Sequence, residues 1–147
     1  MNDCKIECTK SQLKLIQKAL DFYSRIGTGQ FDVIVEHPTF KNCLYAEFSP
    51  NNIENVQPFS DWKKLHEKED NVKNQLHVAR NILCGDEKIG ANGHWSIGNS
   101  KVDESCREAF EILQKIRHQF WLAKPNRNNS TVDAIDRKST NVKVTLN

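Results

Sequence analysis

The sequence predicts an α+β fold that is mainly α, with about three long helices and a small antiparallel sheet or short strands. Three stretches carry apolar residues at helical spacing and are bounded by residues typical of helix ends. Between the first two stretches, and again at the C-terminus, apolar and polar residues alternate as they do in strands. We therefore expect long helices to dominate the fold and the sheet to be small.

The totals indicate a small domain with a polar tail. The chain has 147 residues, of which 37% are hydrophobic and 27% charged, and its net charge is +2. This length is typical of one domain, and we expect a single globular domain over residues 1–124. Residues 125–147 contain few apolar side chains and are expected to form a polar arm. So balanced a charge argues against sequence-independent DNA binding, but a small phosphorylated ligand needs only one or two arginines.

No stretch of the chain resembles a membrane span or a secretory signal. A transmembrane helix needs an apolar run of about 18 residues, and the first residues lack the hydrophobic segment of a signal peptide. We therefore expect the protein in the cytosol of its host, where its five cysteines stay reduced. Their spacing does not match a zinc site, so no metal is expected. They are Cys4, Cys8, Cys43, Cys84 and Cys106.

The first long helix is predicted to begin at Thr9. Thr9 and Gln12 have the spacing of a capping box, and the apolar residues that follow fill about half of the helix surface. Gly27 and Gly29 are predicted to end the helix. They follow a helix and are not preceded by a strand, so a turn is favoured over a phosphate-binding loop. The opposite half of the helix is charged and carries Lys14, Lys18, Asp21 and Arg25.

Residues 30–48 allow two interpretations. Phe31, Val33 and Val35 alternate like a strand, but the same stretch also fits one turn of helix. Pro38 is expected to stop either element. We expect a short strand or a helical turn, then an extended piece around Leu44 to Phe48. The proline- and amide-rich residues 49–59 are expected to form a loop.

A second long helix is predicted from Ser60 or Asp61 to Cys84, with Gly85 just past its end. Its apolar residues form a narrow seam, which is typical of a helix that packs along one other helix, in this chain or in a second subunit. The seam consists of Leu65, Val72, Leu76, Ala79 and Leu83.

A glycine-rich loop, residues 86–100, leads into the third long helix. This helix is predicted to start near Asp103, as its N-cap, and to run to about Ala123, before Pro125. In the arm that follows, Val142, Val144 and Leu146 alternate and can add an edge strand to a sheet or to a neighbouring molecule.

Arg117 interrupts the apolar face of the third helix. On a helical projection it falls between Leu113 and Phe110, inside the apolar arc. A guanidinium is rarely buried alone, so Arg117 should meet a carboxylate, reach out of the edge of the core, or bind an anion such as phosphate. The carboxylates considered as its partner are Glu36, Glu47, Glu67, Glu69 and Asp70.

The loop before the third helix holds two further candidates for ligand binding, Asn99 and Trp95. The Trp95 ring can stack on a nucleobase, whereas Trp121 is better explained as a core residue. Arg117 lies about 21 Å along the helix from Asp103, at the helical rise of 1.5 Å per residue. One small ligand cannot span that distance, so if Asn99 and Arg117 share a site, they come from different subunits.

Catalysis finds little support in the sequence. Cys106 and His118 are about 18 Å apart on one helix, too far for a nucleophile and its base. The five histidines show no metal-binding pattern. We therefore expect neither catalytic residues nor a cofactor, and no enzyme.

Three segments of the chain resemble small early proteins of tailed bacteriophages. They are ALDFYSRIGTGQFDVI (19–34), WSIGNSKVDESCREAFEILQKIRH (95–118) and PNRNNSTVD (125–133). The resemblance rests on a YSRIGxGQF segment and a later GIxNPxV segment that ends in VIRH. The chain departs from this pattern at Ser100, where proline is expected, and at Glu111, where aspartate is expected.

The resemblance implies an anti-defence protein that acts as a sponge. Such proteins bind the cyclic nucleotide or cyclic ADP-ribose signals of Thoeris or CBASS immunity and hold them without cleavage. They would need arginines for phosphates, aromatic residues for bases and sites shared between the subunits of a homo-oligomer. Arg117 and Asn99 are the first candidates for ligand binding, followed by Arg25, Phe31 and Trp95.

Two alternatives remain at this point. The chain could be a phage inhibitor that binds a host protein directly, through the second long helix or the C-terminal arm. It could also be a hydrolase of such signals, which the sequence favours least because it contains no metal or nucleophile motif.

Overall fold

The computed structural model describes residues 7–46, 59–85, 93–128, 131–135 and 143–144, with only the backbone of residues 59–61. The chain divides into two compact units, Met1–Thr28 with Trp95–Asn147, and Gly29–His94. We call them the α1–α5 unit and the α4 unit, after the helices that build them. Each is described by itself, and the prediction of a single domain over residues 1–124 stays a prediction.

The described residues form five α-helices and one short 3₁₀ turn, and no strand occurs among them. The helices are α1 Lys10–Gly27, α2 Val33–Glu36, α3 Pro38–Ala46, α4 Phe59–Cys84 and α5 Glu104–Leu122, and the 3₁₀ turn is Val132–Ala134. The prediction of an α+β fold with a small sheet is therefore wrong for the part of the chain that the structure describes. The three long helices are confirmed.

Helix α1 begins and ends where the sequence predicts. Thr9 is its N-cap, and the Thr9 hydroxyl accepts a hydrogen bond from the backbone N–H of Gln12 at 3.3 Å. The Gln12 side chain accepts the Thr9 N–H at 2.7 Å, which completes the capping box. The helix ends at Gly27, and Gly29, with a φ of 78°, turns the chain away.

Helix α5 also follows its prediction. Asp103 is the N-cap and accepts a hydrogen bond from the backbone N–H of Ser105 at 2.9 Å. The predicted apolar arc is buried at Cys106, Ala109, Leu113, Ile116 and Trp121. Gln114 is an exception, because the projection places it on the polar face and yet it is only 2% exposed.

In the α1–α5 unit, the two helices pack antiparallel around a shared core. Gly27, at the end of α1, lies against Cys106, in the first turn of α5, whereas Asp21 meets Arg117 further along α5. The Tyr23 hydroxyl lies 2.8 Å from Ser105 Oγ. The last turn of α1 therefore sits at the start of α5, next to the turn that carries Trp95.

The stretch between the first two long helices is helical, not extended. Val33 and Val35, which alternate in sequence, are both buried in the short helix α2. Pro38 does stop α2, but it also opens α3, because the first turn of a helix does not use its N–H. The backbone carbonyl of His37 accepts the N–H groups of Phe40 and Lys41 at 3.0 and 2.9 Å.

The expected extended piece around Leu44 to Phe48 is therefore wrong for residues 44–46, which form the last turn of α3. Residues 47 and 48, with most of the predicted loop over 49–59, lie outside the described residues. In the α4 unit, α2 packs against both α3 and α4, and α3 also packs against α4.

Helix α4 has nearly the predicted length, but it buries a different face. It begins at Phe59, so Ser60 and Asp61 lie inside the helix, and it ends at Cys84 before Gly85, whose φ is 59°. Of the predicted seam, Leu65 is buried, at 2% exposure, but Leu83 is 75% exposed. The buried face of α4 instead includes His77 and Arg80.

The C-terminal arm is partly docked on α5. The 3₁₀ turn at Val132–Ala134 packs against α5, in the α1–α5 unit. Of the predicted edge strand, Val142 and Leu146 lie outside the described residues, and Val144 is described but is not in a strand. Among the helices that the structure describes, none combines the length and apolar character needed to cross a membrane.

Candidate anion-binding site

The antiparallel α1–α5 pair brings three charged side chains together. One oxygen of the Asp21 carboxylate accepts a hydrogen bond from Arg25 Nε at 3.0 Å, and the other accepts one from Arg117 Nη2 at 2.8 Å. Arg25 lies one turn further along α1, whereas Arg117 reaches across from α5. Two guanidinium groups, which we call the arginine pair, thus share one carboxylate, and the cluster keeps a net charge of about +1.

The cluster lies at the edge of the unit, not in its core. The exposed fractions of the side chains are 43% for Arg25, 30% for Asp21 and 27% for Arg117. Ion pairs with this much exposure contribute only about 0.2–1 kcal/mol to stability. An anion from solvent can therefore reach the arginine pair at little energetic cost to the fold.

Arg117 uses little of its hydrogen-bonding capacity. Among the described residues, its side chain makes one hydrogen bond, from Nη2 to Asp21, which leaves the other N–H groups of the guanidinium without a described partner. The side chain also leaves α5 between buried Leu113 and buried Trp121. A half-exposed planar fork beside an apolar surface suits two-point recognition of a phosphate or carboxylate.

The carboxylate partner of Arg117 is not one of those considered from the sequence. Glu67 pairs with Lys63 at 3.9 Å and Glu69 with Lys73 at 2.7 Å, all within α4. Glu36, Glu67, Glu69 and Asp70 belong to the α4 unit, and Glu47 lies outside the described residues. The partner is Asp21, which the sequence places on the charged half of α1.

Asn99 holds together the turn that precedes α5. Its side-chain oxygen accepts the backbone N–H of Lys101 at 2.9 Å. Its backbone carbonyl accepts the N–H of Val102 at 3.0 Å and Arg107 Nη2 at 3.2 Å, and its own N–H donates to Ser96. These bonds assign Asn99 a structural role in the turn, and its side-chain NH₂ has no partner in the described part of the chain.

Trp95 is half-buried beside a cation. Its backbone N–H donates to the Thr28 carbonyl at 2.9 Å, which joins the turn to the end of α1. The Lys101 ammonium lies 5.6 Å from the centre of the Trp95 ring. An aromatic face next to a positive charge is compatible with a nucleobase that carries a phosphate.

The five predicted ligand-binding residues fall into three groups. Arg25 and Arg117 meet at Asp21. Trp95 and Asn99 share the turn before α5, whereas Arg117 lies about 20 Å along the helix from its first residue, Glu104. Phe31, which is half-buried, belongs to the α4 unit. Within the α1–α5 unit, the structure thus brings Arg25 and Arg117 together at Asp21 and places Trp95 and Asn99 in one turn.

The sequence interpretation missed a second arginine, Arg80, which is far more deeply buried than Arg117. Arg80 is 1% exposed and donates to the carbonyls of Gly29 and Gly93, at the two ends of the α4 unit. It also donates to the side-chain oxygen of Asn81, from Nε at 3.0 Å and from Nη2 at 2.8 Å. The groups that accept its hydrogen bonds include backbone carbonyls, and no sequence pattern predicts which carbonyls these are.

His77 lies one turn before Arg80 and is also buried, at 7% exposure. Its Nδ1 has no hydrogen-bond partner in the part of the chain that the structure describes. Burial lowers the pKa of His77, the positive charges of Arg80 and Lys73 lower it further, and Asp32 opposes them. His77 is therefore held neutral, since a second cation beside Arg80 would be poorly solvated.

His118 takes part in the packing between α5 and the C-terminal arm. It is half-buried, stacks on the Trp121 ring at 5.6 Å between centroids, and its Nδ1 lies 2.8 Å from the Asp133 carbonyl oxygen. Trp121 Nε1 donates to the Asn128 carbonyl at 3.1 Å. Both residues thus anchor the docked part of the C-terminal arm, in agreement with the core role expected for Trp121.

Within the described ranges, no group of three or more His, Cys, Asp and Glu side chains is placed to hold a metal ion. Cys8, Cys43, Cys84 and Cys106 are free, and Cys4 lies outside the described residues. The arginine pair is thus the part of the α1–α5 unit best suited to bind a charged ligand.

No family model, curated protein or solved structure matches this chain.

Proposed function

We propose that this chain is a phage protein that binds and sequesters a cyclic nucleotide or cyclic ADP-ribose immune signal in the host cytoplasm. It would block antiphage defence by holding the signal, not by cleaving it. The observation that carries the proposal is the half-exposed Arg117 guanidinium, which makes one hydrogen bond to the described residues and faces a second arginine across a shared carboxylate.

The chemistry of the arginine pair fits a phosphodiester. Each guanidinium can offer two parallel N–H groups to a phosphate, and such charge-assisted bonds are stronger than neutral ones. The net positive charge of the cluster matches the single negative charge of a phosphodiester. A sponge also needs only equilibrium binding, so no nucleophile has to lie near the phosphate.

The proposal is tested by binding measurements on purified protein. Isothermal titration with cyclic triadenylate and with cyclic ADP-ribose should show binding of at least one probe. Arg117→Gln should weaken that binding by about 10- to 100-fold, because a hydrogen bond to a charged group contributes about 1.5–3 kcal/mol. Arg127→Gln removes the same charge from an exposed position outside the cluster and should change the affinity less than about twofold. Equal affinities for the Arg117→Gln variant and the wild type would refute the proposal.

A second function is supported by a different surface. Three large apolar side chains on the last turns of α4 are exposed, by 58% for Val78 and 75% for both Ile82 and Leu83. Exposed apolar helix faces commonly bind protein partners. The alternative is therefore a phage inhibitor that binds a host protein directly through this helical surface.

The two functions separate in infection assays. If the chain acts through protein binding, Ile82→Glu should abolish protection of the phage, while Arg117→Gln should leave protection intact. If it acts as a sponge, the opposite pattern is expected.

A further inference from the structure

Helix α1 carries a row of lysines that continues from the arginine pair. Lys10, Lys14 and Lys18 are spaced four residues apart and all are exposed. At 3.6 residues per turn, they and Arg25 lie within an arc of about 80° on one side of α1. We call these three lysines the lysine ridge. Asp21 lies on the same side of the helix and is the only acidic residue within α1.

The ridge lysines have no counter-charge in the described part of the chain. The side chains of Lys10, Lys14 and Lys18 make no ion pair or hydrogen bond to any described residue. Lysines of α4 behave differently, since Lys63 and Lys73 each pair with a glutamate four residues away. Positive charge is thus concentrated on one face of α1 although the whole chain is nearly neutral.

This arrangement is unfavourable for the isolated helix. Like charges at i and i+4 destabilise a helix by about 0.2–0.5 kcal/mol per pair. Lys10 stands in the first turn, which contains no acidic residue, and the helix dipole disfavours a cation there. A bound anion would offset this repulsion, because it supplies the counter-charge that the described chain lacks.

The spacing along α1 indicates what kind of anion fits. Lys14 and Lys18 are about 6 Å apart along the helix axis, and Lys18 and Arg25 about 10 Å. Asp21 lies between Lys18 and Arg25 in sequence and is bonded to Arg117, so the arginine pair forms one end of this row. A single phosphate or a compact diphosphate can occupy the arginine pair but cannot also reach Lys14.

We infer that the ligand carries phosphodiester groups that are separated in space, one held by the arginine pair and another by Lys14 and Lys18. This inference rests on the proposed function and narrows it to cyclic oligonucleotides, in preference to cyclic ADP-ribose, whose two phosphates are joined. Linear single strands also carry phosphodiester groups that are separated in space, and a linear oligoadenylate serves as the probe for them.

The test compares ligands and variants by isothermal titration of the full-length chain. The probes are cyclic triadenylate, cyclic ADP-ribose and a linear oligoadenylate. The variants are Lys14→Gln/Lys18→Gln and the control Lys41→Gln/Lys63→Gln, which removes the same charge from exposed positions in the α4 unit. Because the ridge lysines are exposed and repel one another, their replacement should leave the thermal unfolding of the protein unchanged or raise its midpoint.

The ridge variant should bind cyclic triadenylate about tenfold more weakly than the wild type, because two exposed ion pairs with phosphate are lost. The affinity of the ridge variant should also fall less steeply with rising salt concentration, since fewer exposed ion pairs with phosphate remain to be screened. The control variant should bind like the wild type. The salt dependence of binding separates a direct phosphate contact from an effect on folding.

Three results would overturn the inference. Cyclic triadenylate could bind the ridge variant and the wild type equally well. Cyclic ADP-ribose could lose as much affinity as cyclic triadenylate in the ridge variant. The linear oligoadenylate could bind more tightly than the cyclic trimer, which would indicate a strand-binding protein. The proposed function itself fails in a different way, when Arg117→Gln leaves the binding of every probe unchanged or no probe binds the wild type.

Discussion

The missing side chain of Gly27 allows α1 to approach α5 closely. A Cβ built at Gly27 would lie 2.8 Å from Cys106 Cβ, and the Cys106 sulfur would be closer still. Gly27→Ala should therefore destabilise the protein by about 1–3 kcal/mol, as overpacking of a core does. The free energy of unfolding in urea measures this effect.

Two variants control this prediction. Gly98→Ala adds the same methyl group where no atom lies within 4 Å, so its effect should stay within about 0.5 kcal/mol. Adding Cys106→Ala to Gly27→Ala should recover part of the lost stability, since it removes the sulfur that collides. If Gly27→Ala and Gly98→Ala lose equal stability, α1 does not approach α5 as closely at Gly27 as the structure shows.

Protonation of His77 should destabilise the fold in mild acid. Its pKa lies below the ordinary 6.5 in the folded chain, first because it is buried and then because Arg80 repels a second cation. Between the folded-state pKa and 6.5, the unfolded chain therefore binds more protons at His77 than the folded chain does. Stability is complete above the unfolded pKa and falls as the pH drops toward the folded pKa.

Urea unfolding between about pH 7.5 and pH 5 tests this pH dependence. Wild-type stability should fall over that range, and His77→Leu should reduce the fall. His66, which is exposed on the same helix, provides the control, because His66→Gln should keep the wild-type pH dependence. The idea is wrong if His77→Leu and His66→Gln show the same slope against pH.

The residue scale shows what periodicity can and cannot predict. The projection of α5 places Arg117 within the apolar arc, and the structure confirms that it emerges beside buried residues. Its partner Asp21 could not be predicted, because periodicity within a helix does not say which helices pair. The burial of Arg80 could not be predicted either, since its acceptors include backbone carbonyls that are distant in sequence.

Helix α4 provides the clearest test at the scale of an element. Leu65 and Leu83 both lie on the seam predicted from sequence, but Leu65 is 2% exposed and Leu83 75% exposed. Leu65→Ala should lose about 2–5 kcal/mol of unfolding free energy. Leu83→Ala should lose less than about 0.5 kcal/mol. Equal losses of stability would support the seam predicted from the sequence and contradict the burial of Leu65 and exposure of Leu83 in the structure.

The capping box of α1 should matter for stability as well. Thr9→Ala removes the hydroxyl that accepts the Gln12 N–H and should destabilise the chain by about 1 kcal/mol. Thr9→Ser keeps the hydroxyl and should stay within about 0.5 kcal/mol of the wild type. The free energy of chemical unfolding of both variants tests this prediction. A large loss of stability in Thr9→Ser would show that the hydroxyl cap is not what stabilises the start of α1.

Cap residues predicted several element boundaries, but the predicted N-cap of α4, Ser60 or Asp61, lies inside the helix. Thr9, Asp103, Gly29 and Gly85 mark helix ends, and each acts through local hydrogen bonding or backbone conformation. Residues 30–46 were not predictable, since a short apolar run fits a strand and a helical turn equally well. There the packing of α2 and α3 within the α4 unit decides the outcome.

At the scale of the whole molecule, the resemblance to phage proteins implies a homo-oligomer with sites shared between subunits. Within one chain, Asn99 lies in the turn before α5, and Arg117 lies about 20 Å along the helix from its first residue, Glu104. If they act on one ligand across a twofold interface, Asn99→Ala and Arg117→Ala should each lose binding of cyclic triadenylate. Unfolding the two variants together and refolding them should then restore about a quarter of the sites.

In this mixing experiment, ligand binding is recovered only when subunits of the two variants assemble into one oligomer. Each variant refolded by itself provides the baseline, and circular dichroism checks that Asn99→Ala preserves the turn before α5. A mixture that binds no more ligand than its separate components would place both residues outside a shared site.

Retention of an unaltered signal is the central claim, and one recovery measurement tests it most directly. The protein is incubated with cyclic triadenylate or cyclic ADP-ribose, the free ligand is quantified by chromatography, and the mixture is then heated to unfold the protein. We predict that the wild type depletes the free ligand and that heating returns it chemically intact, whereas Arg117→Gln depletes much less. Recovery of an altered product, or no depletion by the wild type, would contradict the account.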